Sequence, residues 1–376
     1  MKKILMIATC NFLLNPNDGG RQCSYRNYSV LCQVFGEKNV RVCMISNEAM
    51  GELDNISVFP TYKNKIQQVK WALENRVGYS LQTEKQIIKI INGGDYDYLW
   101  LDRSTLGRLY KNIMSNAKKI VFFHNIEIEY IKNKIRHEGI GFVLSYFAFL
   151  YNEREAVQKA DKIICLNIRD SELLNKTYGR KADFLLPISF KDKFEEKNMP
   201  AFELQTNITK TLLFIGSFFR PNIEGINWFI KNVMVQLPDV KLLIVGKGLE
   251  KKASEWECGN VKVIGTVQDV SKYYMKADAV VLPIFYGDGM KVKTAEALMY
   301  GKVIFGTSEA LEGYETEGQS DIYECETAED FVESIKGFYK LKRKGNISIS
   351  NRKLFLEKYE NKAIATQVEK FFQSGK

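Results

Sequence analysis

The chain has 376 residues, 45% of them hydrophobic and 26% charged, which is an ordinary composition for a globular protein. No apolar run approaches the roughly 20 residues that cross a bilayer, and two histidines are too few for a multi-histidine metal site. Residues 1–190 hold 27 Lys/Arg and 19 Asp/Glu, so +8 of the net charge of +9 lies in the first half. That surplus favours an anionic partner for this half.

The first half alternates predicted strands with predicted helices. Strands are predicted at residues 3–9, 40–45, 98–101, 119–123, 162–166 and 183–186, with helices that include 24–35 and 61–92. This alternation predicts a parallel sheet covered on both faces. Residues 1–187 are therefore predicted to form a first Rossmann-like domain.

The start of the chain resembles a signal peptide only superficially. It lacks a convincing cleavage site, so we predict that it is the first core strand. The seven cysteines have no zinc-ligand spacing, and several lie in apolar runs. They are expected to be reduced core residues of a cytosolic protein.

A glycine pair follows the first strand and opens a helix. A ligand can approach the backbone closely at Gly19 and Gly20. These residues and Arg21 open a helix, whose N-terminus favours an anion. The segment lacks the spacing of a dinucleotide site. It is also a plain turn signal, so the residues alone leave both interpretations open.

Polar side chains follow two strands of the first half. Arg103 comes after the strand at 98–101, and His124, Asn125 and Glu127 come after the strand at 119–123. Open α/β sheets place ligands at the carboxyl ends of their strands. A lone histidine can equally be structural.

The most apolar stretch, residues 139–151, has two interpretations. It is either a buried helix that covers the sheet or a helix that faces a membrane. In the second case, the basic residues that precede it, Lys132, Lys134 and Arg136, would meet anionic head groups.

A charged segment bounded by prolines, residues 188–205, is predicted to be the interdomain linker. Further strands are predicted at residues 211–215, 241–245, 261–264, 279–282, 303–305 and 322–325. Residues 206–350 are thus a second Rossmann-like domain. Residues 351–376 are a C-terminal helix.

The segment 279–301 predicts a strand, a glycine loop and a helix in succession. Its glycines precede Lys291 and Lys293, and Glu296 falls in the first turns of the helix. Free backbone N–H groups and a helix N-terminus suit a phosphate. A carboxylate can accept hydrogen bonds from two sugar hydroxyls, and a nucleotide diphosphate with its ribose has both features.

With the strand at 302–307 and the turn at 310–313, this segment resembles the retaining GT-B glycosyltransferases of family four. The resemblance implies an α/β GT-B fold with two Rossmann-like parallel-sheet domains facing across a cleft. It implies that Glu296 binds the donor ribose and that the Asp288–Gly289 loop lies beside the donor hexose. The family has two glutamates eight positions apart, and Asp288 stands at the first. By this resemblance the catalytic residues are His124, Asp288 and Glu296, with His124 approaching the transferred sugar.

The same resemblance implies the remaining site residues. The family often has Gly-Arg and a later lysine on the diphosphate, whereas Ser217 and Asn222 stand at the arginine and lysine positions here. The acceptor side is assigned to Arg103, Asn125 and Glu127. The implied donor-binding residues are Gly19, Gly20, Arg21, Gly216, Arg220, Gly248, Val267, Gly289, Met290, Lys291, Lys293 and Glu296.

No metal or cofactor is expected. Asp95-Tyr96-Asp97 has the form that GT-A enzymes use for a metal, but it follows two glycines and precedes a strand, so we interpret it as a turn. No basic-aromatic motif points to nucleic acid.

The expected function is transfer of a hexose-type sugar from a nucleotide-diphosphate sugar, a UDP-sugar being favoured, to a glycan or lipid-linked acceptor. Retention, metal independence and a role in bacterial capsule, exopolysaccharide or cell-wall assembly are implied by the resemblance. We expect a cytoplasmic protein with peripheral contact to an anionic membrane surface. Two alternatives stay open: a nucleotide-sugar epimerase, and a non-catalytic glycan-binding or partner subunit.

Overall fold

The computed structural model describes residues 2–14, 19–48, 54–194, 210–287, 289–341 and 347–374. The chain divides into two compact units. One consists of Met1–Ser189 with Ile364–Lys376, and the other of Phe190–Ala363. In the described part of the chain, no helix is long and apolar enough to cross a membrane.

The first unit is built around seven parallel strands. Its elements in chain order are β1 (Ile4–Ala8), α1 (Gly19–Phe35), β2 (Val40–Ile45), β3 (Ile56–Phe59), α2 (Lys65–Leu73), α3 (Leu81–Gly93), β4 (Tyr98–Leu101), β5 (Lys118–Phe123), α4 (Glu127–Glu138), α5 (Val143–Lys159), β6 (Lys162–Cys165), α6 (Ile168–Tyr178) and β7 (Phe184–Leu185). The strand order is β3-β2-β1-β4-β5-β6-β7. Both β1 and β4 are buried along their whole length, which is why they read as unbroken apolar runs rather than alternating ones.

The second unit repeats this plan with six strands. Its elements are β8 (Lys210–Ile215), α7 (Arg220–Asn232), β9 (Val240–Val245), α8 (Ala253–Trp256), β10 (Val261–Gly265), α9 (Ser271–Lys276), β11 (Ala279–Leu282), α10 (Val292–Met299), β12 (Val303–Gly306), α11 (Ser308–Leu311), β13 (Ile322–Glu324), α12 (Ala328–Lys340) and α13 (Ile349–Leu354). The order is β10-β9-β8-β11-β12-β13, again parallel throughout. Two parallel-sheet α/β domains are thus confirmed.

The helix predicted over residues 61–92 was wrong, because two helices occupy this stretch. Asn75 between them adopts φ 56° and Gly78 adopts φ 83°, and neither value continues a right-handed helix. Asn64 caps α2 by accepting from the Gln67 N–H, and Ser80 caps α3 by accepting from the Thr83 N–H. Each helix therefore has its own start signal.

The chain ends in α14 (Asn361–Ser374), whose last turns belong to the first unit. A π-helical turn over Phe355–Tyr359 separates it from α13. The Phe372 ring lies 4.8 Å from that of Phe35 and 4.7 Å from that of Tyr98, and Phe371 stacks on Phe184 at 4.9 Å. These aromatic contacts attach the C-terminus to the first sheet.

Close packing in the second unit depends on one glycine. A Cβ at Gly225 of α7 would lie 1.8 Å from the carbonyl oxygen of Pro283, just beyond β11. Only glycine lets α7 approach the end of this strand so closely. The loop that leaves β11 is held against α7 for this reason.

Candidate functional site

In the first unit, polar residues converge near the point between β1 and β4 where the order of strand addition reverses. Asp102 directly follows β4, and His124 directly follows β5. Crossover connections run in opposite directions on the two sides of such a reversal, so a crevice forms at the carboxyl ends of these strands.

The fully buried Asp102 carboxylate is the centre of this group. Its oxygens accept hydrogen bonds from Asn27 Nδ2 at 2.6 Å and Trp100 Nε1 at 3.1 Å, and they face His124 Nε2 at 3.2 Å. Burial pushes the pKa of Asp102 upward, but the attraction of His124 and the hydrogen bonds hold it below its ordinary value. Asp102 therefore stays ionised.

His124 is a buried imidazole with anionic neighbours. Burial alone would lower its pKa, and Arg103 opposes protonation as well, but Cys23 and Asp102 together raise the pKa of His124 above its ordinary value. Burial likewise raises the pKa of the Cys23 thiol, yet His124 and Arg26 bring it below the ordinary value. Arg26 Nη2 donates to Cys23 Sγ at 3.4 Å. His124 and Cys23 therefore each favour the charged form of the other.

Glu127 is the first residue of α4, and its side chain accepts from Arg103 Nη1 at 3.1 Å. The start of this helix is fixed by Glu153 of α5, which accepts from the Glu127 N–H at 2.8 Å and the Ile128 N–H at 3.3 Å. The Tyr178 hydroxyl donates to the same carboxylate at 2.6 Å. Burial raises the pKa of Glu153 to about 7.

A cavity of about 410 Å³ opens beside the Arg103–Glu127 pair. Its wall includes the rings of Tyr62, Tyr130 and Phe149. Arg76, also in the wall, donates to Glu84 at 2.6 Å. Aromatic faces beside charge-paired polar groups suit a polyhydroxylated ligand.

A second cavity, of about 550 Å³, lies at the opposite edge of the sheet, at the amino ends of β4 and β5. Its lining includes Asp95 and Asp97. Asp97 Oδ2 accepts from the Lys3 N–H at 2.7 Å. In this segment Asp97 thus ties the turn before β4 to the start of β1.

The glycine pair after β1 is only partly described, since residues 15–18 lie outside the described ranges. Gly19 and Gly20 begin α1. The guanidinium of Arg21 makes a bidentate ion pair with Glu48, both N–O distances being 2.8 Å. Arg21 is therefore held by a carboxylate of its own unit.

In the second unit, the order of strand addition reverses between β8 and β11. Gly216 follows β8, and its N–H donates to the Val245 carbonyl at 3.0 Å. A Cβ at Gly246 would lie 1.5 Å from the Gly216 carbonyl oxygen, so the loops after β8 and β9 touch through backbone alone. Asp288, in the loop after β11, lies outside the described residues.

Lys293 lies in the first turn of α10 and reaches across to α7. Its Nζ donates to Asn222 Oδ1, and its ammonium lies 4.9 Å from the centre of the Phe214 ring. Asn222 Nδ2 in turn donates to the Ser217 carbonyl at 2.9 Å. Burial and the nearby Lys291 lower the pKa of Lys293 to about 7, against the attraction of Glu296.

The other charged residues of this segment are paired. Lys291 Nζ donates to Glu309 Oε1 at 2.6 Å and to the Gly289 carbonyl at 2.7 Å. Glu296 Oε2 accepts from the Tyr274 hydroxyl at 3.3 Å. Burial raises the pKa of Glu296, while the Tyr274 hydrogen bond and the cations Lys193 and Lys293 act in the opposite direction.

The remaining predicted donor-binding residues differ in their exposure and partners. Met290 is buried. The Gly248 N–H donates to Thr266 Oγ1 at 3.2 Å, beside Val267 on the loop after β10. Arg220 is 61% exposed and donates to Glu224 at 2.6 Å.

The structure thus brings predicted residues together within each unit, and it adds residues that the sequence did not indicate. Lys293, Lys291 and Glu296 share one helix start, and His124 shares its crevice with Asp102. Cys23 and Glu153 were missed, because a lone cysteine in a helix and a glutamate among other charged helix residues carry no distinctive pattern. Cys258 is exposed, so the expectation of core cysteines fails there.

Comparison with known proteins agrees with this architecture. Residues 209–340 match the family described as Glycosyl transferases group 1. No curated protein matches the chain by sequence.

Several solved structures match over nearly the whole chain. Sucrose-phosphate synthase from Thermosynechococcus elongatus has a TM-score of 0.70 at 14% identity, with 99% of each chain covered. Anabaena HepE in complex with UDP has a TM-score of 0.69 at 13% identity, with 99% of this chain and 100% of that one covered. A glycosyltransferase from Rickettsia africae has a TM-score of 0.67 at 14% identity, with 99% and 98% covered. At these identities the likeness shows the GT-B fold alone.

We predict that Cys23→Ser lowers the pKa of His124, because the thiolate is the strongest of the influences that raise it. NMR titration of the imidazole protons measures this, with His137, the other histidine, as an internal reference. In the unmodified protein His124 should titrate above the ordinary value of about 6.5. Cys32→Ser, a cysteine further along α1, is the control. An unchanged His124 titration in Cys23→Ser would contradict the assignment.

Proposed function

We propose that this chain, whose residues 209–340 match the glycosyl transferases group 1 family, transfers a hexose-type sugar from a nucleotide-diphosphate sugar to a glycan or lipid-linked acceptor with retained configuration. The observation that carries the proposal is the start of α10, which presents Lys291, Lys293 and Glu296 at the carboxyl edge of the second sheet. Cations there suit a diphosphate. The Glu296 carboxylate suits the two hydroxyls of a ribose.

The donor base is proposed to be uracil. The matching HepE structures are complexes with UDP, with UDP and glucose, and with UDP-glucose. We assign Gly216, Gly248, Val267, Gly289 and Met290 to the surroundings of the nucleotide. Gly19, Gly20 and Arg21 of the first unit are assigned to the leaving phosphate, and Asp288 to the hexose.

The proposed reaction needs charge stabilisation at the departing phosphate. The acceptor hydroxyl oxygen bonds to the anomeric carbon while the bond from that carbon to the phosphate oxygen breaks. The hydroxyl proton passes to the departing phosphate, and Lys293 stabilises the charge that develops there. His124 donates a hydrogen bond to the transferred sugar. Arg103, Asn125 and Glu127 bind the acceptor beside the 410 Å³ cavity.

A role in bacterial surface-polysaccharide assembly follows if the acceptor is lipid-linked. The reaction would then take place at the cytoplasmic face of the membrane. Exposed apolar side chains of α2 and α5 support contact with a bilayer: Ile66 is 81% exposed, Leu73 65% and Phe147 58%. The helices pack side by side, and exposed lysines at positions 63, 65 and 70 flank the apolar residues. We call Ile66, Leu73 and Phe147 the apolar patch.

We predict that Glu296→Gln weakens UDP binding by about 10- to 100-fold, the effect of losing hydrogen bonds to a charged acceptor. Isothermal titration calorimetry measures the affinity. His124→Gln should bind UDP as the unmodified protein does, yet lose transfer from a UDP-sugar, because His124 lies in the other unit. Full transfer by both variants would refute the site. Donor isomerisation without acceptor would identify an epimerase, and glycan binding without any turnover would identify a non-catalytic subunit.

We predict that UDP binds more weakly as the pH rises above about 7. With its pKa lowered to about 7, Lys293 is neutral at higher pH in the free protein, so binding the anion must recruit a proton. The affinity should fall by up to about tenfold per pH unit until the pKa of the bound state is reached. Calorimetry in Lys293→Arg is the matched control, since arginine stays charged. Equal pH slopes in the two proteins would disprove the role of Lys293.

We predict that Ile66→Ser with Phe147→Ser lowers binding to vesicles containing anionic lipid by about tenfold or more, because two apolar side chains no longer insert. Sedimentation with phosphatidylglycerol vesicles measures the bound fraction, and neutral vesicles should bind less. Val235→Ser changes an apolar residue of the second unit that is 69% exposed and serves as the control. Equal binding by all three proteins would rule out the apolar patch as a membrane contact.

A further inference from the structure

A short segment at the start of the second unit lies against the proposed nucleotide site. The Phe190 N–H donates to the Tyr359 carbonyl at 3.1 Å, and the Asn361 N–H donates to the Phe190 carbonyl at 2.9 Å. Asp192 forms an ion pair with Arg352 of α13. The Arg352 guanidinium also lies 4.8 Å from the centre of the Phe194 ring. Residues on both sides of Lys193 are therefore fixed to this unit.

The contacts of Phe194 lead towards Glu296. The Phe194 ring lies 6.5 Å from that of Tyr300, and Tyr300 stacks on Tyr274 with ring centres 4.5 Å apart and planes 14° from parallel. The hydroxyl of Tyr274 donates to Glu296 at 3.3 Å. A continuous row of three rings thus connects the segment to the proposed ribose carboxylate.

Lys193, the residue before Phe194, is exposed. Its ammonium lowers the pKa of Glu296 and also that of Asp269, on the loop after β10. It therefore lies within electrostatic reach of the proposed ribose carboxylate and of the loop proposed to flank the base. Under the proposed function, the ligand group near these two carboxylates would be the nucleoside rather than the diphosphate.

Resting on the proposed function, we infer that Lys193 is a nucleoside-binding residue of the donor site, contributed by the segment Phe190–Phe194 ahead of β8. An ammonium donates to the carbonyl oxygens of a pyrimidine base and offsets the charge of Glu296, which would otherwise repel an anionic ligand. Lys193 and Lys293 then divide the donor between them, one serving the nucleoside and the other the diphosphate.

Calorimetric titration of Lys193→Met with uridine, UMP and UDP tests this division. We expect a loss of about three- to tenfold in affinity for all three ligands, the effect of one lost hydrogen bond to a partly exposed group. Lys293→Met should lose affinity chiefly for UDP. Lys191→Met, an exposed lysine two residues earlier, is the matched control and should bind as the unmodified protein does.

Two results would overturn the inference: equal affinities in Lys193→Met and Lys191→Met, or a loss in Lys193→Met that is confined to UDP. Glu296→Gln in the same series separates this outcome from failure of the proposed function. If Glu296→Gln loses affinity and Lys193→Met does not, only the inference about Lys193 fails. If neither variant loses affinity, the nucleotide site itself is misassigned.

Discussion

In each parallel sheet, the order of strand addition reverses once. The position of the candidate site residues depends on this reversal. Both sheets begin with a central strand, β1 or β8, grow to one side, and then return to add strands on the other side. Connections leaving the strands on the two sides of the reversal diverge, so the carboxyl ends there stay uncovered. Asp102 and His124 stand at one reversal, and Gly216 and the loop after β11 stand at the other. Asp102 and His124 are neighbours because they follow the paired strands β4 and β5.

Cations at the two candidate sites have different partners. In the first unit, Arg103 faces Glu127 and Arg76 faces Glu84, so these cations have carboxylate partners. In the second unit, Lys293 faces the neutral amide oxygen of Asn222 and has a second lysine nearby, and its pKa falls accordingly. A buried cation with a neutral partner is costly until an anion arrives. This contrast supports the proposed anionic donor in the second unit.

The sequence predicts the sheets better than it predicts their edges. Strands such as β1 and β11 are buried on both faces and stand out as unbroken apolar runs. The edge strand β3 was missed, because its four residues are only partly buried and carry a serine. One helix was predicted where α2 and α3 lie, because both have helical composition and the break depends on the backbone angles of Asn75 and Gly78.

The candidate site was predictable where chemistry follows a strand and hidden where it depends on packing. His124 and Glu127 were found because they follow β5 directly. The environment of His124 was not predicted. Cys23 comes from α1 and Asp102 from the end of β4, and no pattern along the chain joins them. Glu153 lies in a charged part of α5, just after the apolar stretch 139–151. Its role at the start of α4 is visible only once α5 is packed against α4.

Comparing this chain with the resembling family one position at a time would give a wrong account of the diphosphate contacts. Asn222 stands where the resembling family often has lysine, which taken alone suggests a lost charge. The structure places the Lys293 ammonium against the Asn222 side chain, so a cation is present at that point but comes from α10. Lys293 and Glu296 lie three residues apart on one helix and therefore share a face. One rigid helix would then set the spacing between the proposed phosphate and ribose contacts, and this binding geometry does not require the lysine of α7.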